Sequence, residues 1–501
     1  MKQLFTLLFT LTCTIAFSQE KYSLPPCGTP AQWQSNDFSD LDFSRSGGDT
    51  ILYVPITLHQ LGNNNGGFFS TVKLLDAFNR LNQDFAPSKI QWFMEGDIRF
   101  VKSTFWNNHK TITEGWDMMS KNNVKNTINC YVCTSAAGNC GYNTPYGGVA
   151  LARSCTGPLD NTWAHELGHG LRLPHPFLGW EAKTYDGTKP TPVKVTYDYS
   201  EFKDTLIPGL KIIDTAYVEL VNKANCKFAA DQMCDTKPDY ISTRWSCDAT
   251  TKLSPGTYKD PNGDTFKSDG TLYMSYSLDE CQNRFSDDQI AVMRATLKGK
   301  KKNLLYNQVP KPQVDTKPNL ILPAEKAQVD TISVLLQWEK VPNATAYVIE
   351  LSRVSNFSSL EPEYITNKTE LKTGNLLPNK TYYWRVRPFN SHSGGITSDK
   401  RSFVTSLLSE VKNIPSIADA TLYPNPISEG EATLRFSTSS ELKGQLQIND
   451  FTGRNIFTQK INFPVGEQAL EIKTSNLTKG LYFVVISDEK GGILSKKLVK
   501  E

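Results

Sequence analysis

The chain has 501 residues, 39% hydrophobic and 21% charged, with a formal net charge of +3. Such a length exceeds one ordinary core and predicts about three domains, and the composition excludes a disordered chain. No basic stripe and no basic patch interleaved with aromatics is present, so nucleic acid is excluded as the expected partner; Lys298, Lys300, Lys301 and Lys302 read as the solvated end of a helix.

The N-terminus has the pattern of a secretory signal. Lys2 supplies the positive charge, Leu4 to Phe17 is apolar and hydroxylic, and Ala16-Phe17-Ser18 offers small residues for cleavage after Ser18. No other segment approaches a membrane span, so the mature protein is expected to have none. Export places the cysteines in an oxidising compartment. Ten are present and Cys13 leaves with the signal; the remaining nine are Cys27, Cys130, Cys133, Cys140, Cys155, Cys226, Cys234, Cys247 and Cys281. An odd number leaves at least one unpaired within the chain.

Residues 19–48 are polar and broken by Pro25, Pro26, Pro30 and Gly47-Gly48, the pattern of a pro-segment. Ile51–Leu58 reads as a buried strand, and Val72–Phe85 as a helix with Leu74, Leu75, Phe78, Leu81 and Phe85 on one face and Ser70 or Thr71 as its cap. Ile90–Val101, Thr127–Thr134 and Gly147–Ala152 read as strands, and Asn161–Gly170 as a helix capped by Asp160 or Asn161. This order predicts an α/β sheet with the last helix beneath it. Residues 177–225 give no clear pattern. Ser286–Leu297 reads as a helix with Ser286 and Gln289 forming a capping box.

After residue 306 cysteine disappears. Val309-Pro310-Lys311-Pro312 is a linker, and residues 318–406 read as short strands of a β-sandwich. Trp338, Tyr347 and Thr381-Tyr382-Tyr383-Trp384-Arg385-Val386 resemble a fibronectin type III module. At the C-terminus stand Leu422-Tyr423-Pro424-Asn425-Pro426, Phe451-Thr452-Gly453-Arg454 at an expected hairpin, Gly480-Leu481-Tyr482-Phe483-Val484 and Lys496-Lys497-Leu498-Val499. This run resembles the sorting domain of the type IX secretion system. The resemblance implies that the secretion machinery is a partner and that the protein passes through the periplasm to the surface or beyond.

The chemistry is concentrated in His165-Glu166-Leu167-Gly168-His169. On a helix, positions four apart share a face, so both imidazoles reach one ion and Glu166 can take a proton from its water. A catalytic zinc needs a third protein ligand and an open position. His175 supplies the ligand ten residues after His165, with Gly170 ending the helix and Pro174 and Pro176 holding His175 extended. The remaining histidines, His59, His109 and His392, read as ordinary surface or structural residues.

These residues resemble the zinc signature of the metzincin proteases, and more closely that of the pappalysins. Tyr273-Met274-Ser275-Tyr276 matches their methionine turn, and the stretches Asp231-Gln232-Met233-Cys234-Asp235-Thr236 and Asp279-Glu280-Cys281-Gln282-Asn283-Arg284-Phe285 match their continuation. The resemblance implies that Met274 forms a hydrophobic floor and that Tyr276 stabilises the tetrahedral intermediate. It implies that Asp279 lines the pocket for an Arg or Lys just after the cut bond; the other reading has Asp279 facing solvent or capping the helix near Ser286. Asp231, the Cys234 carbonyl and Thr236 are the implied calcium donors, an acidic solvated loop being the alternative. Cys27, in Cys27-Gly28-Thr29, resembles a pro-region motif and implies a thiolate on zinc in the latent precursor; that assignment leaves eight cysteines for four disulfides. The other reading of Cys27 is a disulfide partner or a merely reactive thiol. One departure concerns the turn, where metzincins have glycine and this chain has Arg172. Either Arg172 takes the left-handed conformation, or Gly170 moves the turn earlier.

The expected organisation is multidomain: signal 1–18, pro-segment 19–48, an α/β (α+β) metzincin-like catalytic domain 49–306, linker 307–317, two all-β sandwich domains at 318–406 and 421–501, and linker 407–420. The expected activity is a secreted zinc endopeptidase acting on proteins or peptides, with residues 19–306 active without the tail. Two alternatives are a non-catalytic surface adhesin with a vestigial zinc site and a zinc hydrolase acting on another bond.

Overall fold

The computed structural model describes residues 24–30, 37–45, 48–145, 148–181, 183–196, 215–331, 333–358, 363–374, 376–392, 394–406, 414–451, 453–489 and 492–501. The expected signal peptide lies outside them. The chain divides into two compact units. One holds residues up to Ile321 with Gln337–Glu370 and Trp384–Lys400; the other holds Leu322–Leu336, Leu371–Tyr383 and Arg401–Glu501.

The first unit is built on a six-stranded sheet. Its strands are β1 (Leu52–Gly62), β2 (Ile90–Met94), β3 (Arg99–Lys102), β4 (Ile128–Cys133), β5 (Gly141–Thr144) and β6 (Gly148–Ala152). The order is β2-β1-β4-β6-β5, with β3 also on β1; all pairs are parallel except β5 with β6. The apolar run in β1 is explained by cover on both faces, as a parallel strand requires. The expected strand Ile90–Val101 is two strands, because Gly96 takes a positive φ of 70° and breaks the run.

Helix α1 (Thr71–Phe85) is capped by Ser70, whose side chain accepts from the Lys73 N–H, and it buries Leu74, Leu75, Phe78, Leu81 and Phe85. A short α2 (Thr104–Asn107) precedes α3 (Ile112–Asn122), which carries a complete Thr111/Glu114 capping box but no apolar stripe strong enough to announce it. Helix α4 (Thr162–Gly170) carries the histidine motif, with Asn161 at its N-cap. Helix α5 (Asp287–Lys298) has the expected Ser286/Gln289 box.

The stretch between α4 and α5 is mostly irregular. It is held by a cluster of buried aromatics that includes Phe177, Trp180, Tyr240, Trp245, Phe266 and Tyr276. Lys194–Thr196 pairs antiparallel with Thr215–Tyr217. Disulfides Cys226–Cys234 and Cys247–Cys281 pin the same region, and Cys140–Cys155 ties β5 to the turn after β6. The expectation of four disulfides is corrected to three: Cys130 and Cys133 are free and buried, as is Cys27. The physical reason is pleat. Positions three apart on β4 point to opposite faces of the sheet, so the two thiols cannot meet.

Sandwich strands of the same unit pack on α1. Val348 and Phe389 belong to the core cluster that contains Leu74 and Phe78. The Glu363 carboxylate accepts from the Ser70 hydroxyl and the Thr71 N–H at 2.5 Å each, and Arg387 pairs with Asp76 at 2.6 Å.

In the second unit, residues 417–500 form a three-stranded and a four-stranded antiparallel sheet. Burial alternates along Glu431–Thr438, and the inward residues Ala432, Leu434 and Phe436 share a core with Leu446, Ile448, Val484, Ile486 and Leu498. The hairpin expected at Phe451–Arg454 is present, with Gly453 at a φ of 86° and its N–H donating to the Asp450 carbonyl.

Candidate metal centre

Helix α4 places His165 and His169 on one face, and the chain after it returns His175 to the same point. The Nε2 atoms of His165 and His175 lie 3.2 Å apart, those of His169 and His165 3.1 Å, and those of His169 and His175 3.1 Å. The opposite nitrogens fix the tautomers of His165 and His169: His165 Nδ1 donates to the Tyr273 carbonyl and His169 Nδ1 to the Leu173 carbonyl, both at 2.7 Å, while His175 Nδ1 lies 3.5 Å from Glu181 Oε1. Two lone pairs and the His175 Nε2 therefore meet at one point, where a cation converts repulsion into attraction. Nitrogens about 2.0–2.1 Å from a tetrahedral zinc stand about 3.3 Å from one another, so the triangle fits that ion. Burial pulls His165 down to about 4 and holds His169 and His175 well below the usual histidine range, so all three are neutral, as ligands must be.

Cys27 joins this group: its Sγ and one nitrogen of each histidine all lie within 4.8 Å of one another, and it is 3.6 Å from His169 Nε2. Burial and the nearby Glu166 charge push its thiol up; a cation among the imidazoles acts in the opposite sense. Glu166 is fully buried and burial raises its carboxyl to about 8, opposed by hydrogen bonds from Thr29, Cys27 and the Asn143 backbone. The Thr29 hydroxyl donates to Glu166 Oε2 at 2.8 Å, a contact that nothing in residue type or spacing announced.

Met274 lies under the helix, fully buried; a Cβ at Gly168 would come 2.4 Å from its Sδ, so glycine permits this contact. Tyr276 packs against His165, His175 and Phe177, and its phenol donates to the Cys27 carbonyl at 3.5 Å.

The turn is settled at Arg172, which takes a φ of 75°. Leu173 N–H donates to the Gly168 carbonyl and Arg172 N–H to the His169 carbonyl, both at 2.9 Å, a Schellman end with arginine where glycine is usual. The guanidinium reaches Asp40 at 2.8 Å and the Asp37 carbonyl, both in the expected pro-segment. Gly170 instead serves close packing, since a Cβ there would come 3.0 Å from Asn143 Nδ2.

Asp279 braces the start of α4. Its Oδ1 accepts from the Asn161 N–H at 3.0 Å and its carbonyl from Asn161 Nδ2 at 2.9 Å, while Arg244 Nη1 stands 3.8 Å from Oδ2. The loop at Asp231 differs from the expected donor set. The Cys234 carbonyl accepts from Lys223 Nζ at 2.7 Å, and the Thr236 hydroxyl lies 3.2 Å from Asp231 Oδ1 and 2.9 Å from the Met233 carbonyl. The residue missed there is Glu219. Both its carboxyl oxygens and Asp231 Oδ2 are buried without a hydrogen-bond partner among the described residues. Burial and the Asp231 charge push Glu219 up, and burial and the Asp235 charge push Asp231 up. His59 and His109 are structural rather than superficial: both are buried, against Asn129 and the Tyr142 phenol respectively.

Residues 421–501 match the family described as the secretion system C-terminal sorting domain. The tail therefore directs the chain through type IX secretion, whose machinery it must meet, to the cell surface or outside. No described helix is long and apolar enough to cross a membrane. No curated protein matches the chain. Among solved structures, similarity is found to the FN1–FN3 domains of chicken CNTN1, at 11% identity over 38% of this chain and 66% of that one, TM-score 0.19. It is also found to dimeric latent PorU from Porphyromonas gingivalis, at 14% identity over 36% of this chain and 20% of that one, TM-score 0.15. The sixth fibronectin type III domain of a human protein of that domain family matches at 20% identity, over 21% of this chain and 93% of that one, TM-score 0.16. The chain thus spans less than two thirds of the first two neighbours.

Proposed function

We propose that this exported chain is a zinc-dependent endopeptidase of the metzincin kind, nearest to the pappalysins, that hydrolyses peptide bonds in extracellular proteins. The observation that carries the reading is the triangle of His165, His169 and His175 Nε2 atoms with edges of 3.1–3.2 Å, with Glu166 on the same helix. Zinc, when held by these imidazoles, supplies Lewis acidity and a lowered pKa for a coordinated water. Glu166 accepts a proton at its carboxylate and returns it to the leaving amine. Its burial suits that exchange, because desolvation raises its basicity. The Tyr276 phenol donates to developing negative charge on the carbonyl oxygen. In the latent form Cys27 provides the fourth ligand.

Calcium is proposed at Asp231 and Glu219, whose buried oxygens are hard donors suited to that ion. A preference for Arg or Lys after the cut is assigned to Asp279. Arg244 beside that carboxylate is the group an incoming basic side chain must compete with. Casein or gelatin hydrolysis by the processed protein, with and without chelator and with zinc restored, tests the main reading. An adhesin with a vestigial site stays inactive throughout, and cleavage-site profiling reads the specificity.

A further inference from the structure

The segment Pro25–Thr29 does more at this centre than deliver a sulfur. It runs along β5, the edge strand of the sheet. Cys140 N–H donates to the Pro25 carbonyl at 2.9 Å and Gly28 N–H to the Gly141 carbonyl at 2.8 Å. Asn143 N–H donates to the Thr29 hydroxyl oxygen at 2.8 Å, and that hydroxyl donates to Glu166 Oε2 at 2.8 Å. Thr29 is 7% exposed and Glu166 0%. Gly28 leaves room for this approach; a Cβ there would come 2.5 Å from Asn139 Nδ2, so that side chain would have to move.

We propose that Thr29 is a second lock on the latent protein, its hydroxyl occupying the general base while Cys27 occupies the ligand position. The two contacts act on different groups. A thiol on the ion blocks the coordination position; a hydroxyl on Glu166 fills the acceptor that takes the water's proton. Hydrogen bonds to a carboxylate are roughly twice as strong as neutral ones, and this one is shielded from water. The chain of donors Asn143 N–H to Thr29 to Glu166 also orients the hydroxyl proton toward the carboxylate. Valine at position 29 keeps the shape but leaves the Asn143 N–H and Glu166 without this partner. Serine keeps the hydroxyl.

The contact is tested on the full, unprocessed, zinc-loaded chain by a melting-temperature cycle of Thr29→Val and Glu166→Ala, with Thr29→Ser alongside. Thr29→Val is expected to lower the melting temperature by about 2–4 °C with Glu166 present and by much less without it, and Thr29→Ser to stay near wild type. Additive shifts overturn the proposal, as does a serine variant that melts like the valine one. The second arm rests on the peptidase reading. Unprocessed Thr29→Val, its intact mass verified, is expected to hydrolyse a fluorogenic peptide about tenfold faster or more than unprocessed wild type, the size of one hydrogen bond to a charged group. The processed forms should run alike. Equal silence of the two unprocessed proteins, with active processed forms, also overturns the lock. If the processed protein is itself silent with zinc bound, the peptidase reading falls, and the melting cycle alone decides the contact.

Discussion

The histidine region and the sorting tail bury different things. In the tail the shared core is made of residues such as Leu434, Phe436, Ile448, Val484 and Ile486, and the pairs Glu431–Thr438 with Gly466–Lys473 and Leu442–Asp450 with Gly480–Asp488 keep an unbroken register. In the unit that holds the histidines, buried groups include His165, His175, Glu166, Glu219, Asp231, Asp279 and Arg294. Hydrophobic burial alone specifies the first arrangement. The second is tolerable only where each polar group has a partner or an ion. The difference separates a part of the chain built to fold and be recognised from a part built to hold reactive groups out of water.

The largest effect expected from breaking this contrast is at Glu166. Glu166→Ala should lower peptide turnover by about a hundred- to ten-thousand-fold while zinc content, read by mass spectrometry, stays at wild type. Turnover at the wild-type rate would remove Glu166 from its role.

Residue order alone makes 19–306 a self-sufficient catalytic piece. The packing argues otherwise, because a chain ending at residue 306 would lose Val348 and Phe389 from the core over α1, and Glu363 and Arg387 from their partners on that helix. Burying two such apolar side chains is worth about 3–6 kcal/mol, so residues 19–306 should melt well below residues 19–406. Equal melting temperatures would show the sandwich strands to be dispensable. In the tail, Ile486→Ala should cost about 2–5 kcal/mol of tail stability and impair export, while leaving peptidase activity of the processed protein unchanged. Loss of that activity would contradict the division of labour.

The paired carboxyls of Glu219 and Asp231 give the next effect. Below about pH 4 both are protonated in folded and unfolded chains alike. As pH rises toward their raised folded values, the unfolded chain ionises first, so stability falls across that window and then levels. Lys223 opposes and Asp235 adds to the rise. The expected loss is on the order of 1–3 kcal/mol, and millimolar calcium should abolish it. A fall unaffected by calcium would leave the pair as an ordinary buried acid dyad.

Much of this was legible in residue order. Helix α1, the capping box at Ser286 and the tail's hairpin follow from local patterns, and the convergence of three histidines follows from helix geometry plus one turn. Helix α3 escaped because its buried face is short and one of its three buried residues, Gly115, is a poor helix former with no side chain to mark the stripe. Thr29, Glu181 and Glu219 escaped for a different reason. Each meets its neighbour through irregular chain, where no period relates sequence distance to space. The fourth disulfide was miscounted because arithmetic on cysteines ignores which face of a strand each occupies.

The smallest expected effect tests the turn at Arg172, where local strain and a tie to the pro-segment compete. A left-handed backbone costs a non-glycine residue about 1–2 kcal/mol, and Arg172→Gly removes that cost. It also removes the guanidinium from Asp40 and the Asp37 carbonyl. Asp40 is 39% exposed and also meets Lys300 at 3.1 Å, so its pair with Arg172 is worth only about 0–1 kcal/mol. In the full chain the two changes should nearly cancel. Removal of the pro-segment takes away that tie and leaves the strain, so Arg172→Gly should favour the processed form over the full chain by about 2–4 °C in melting temperature. If glycine instead destabilises the processed form more than the full chain, contacts of Arg172 outside residues 37–40 outweigh the strain, and the turn is held for a reason other than the tie to Asp40.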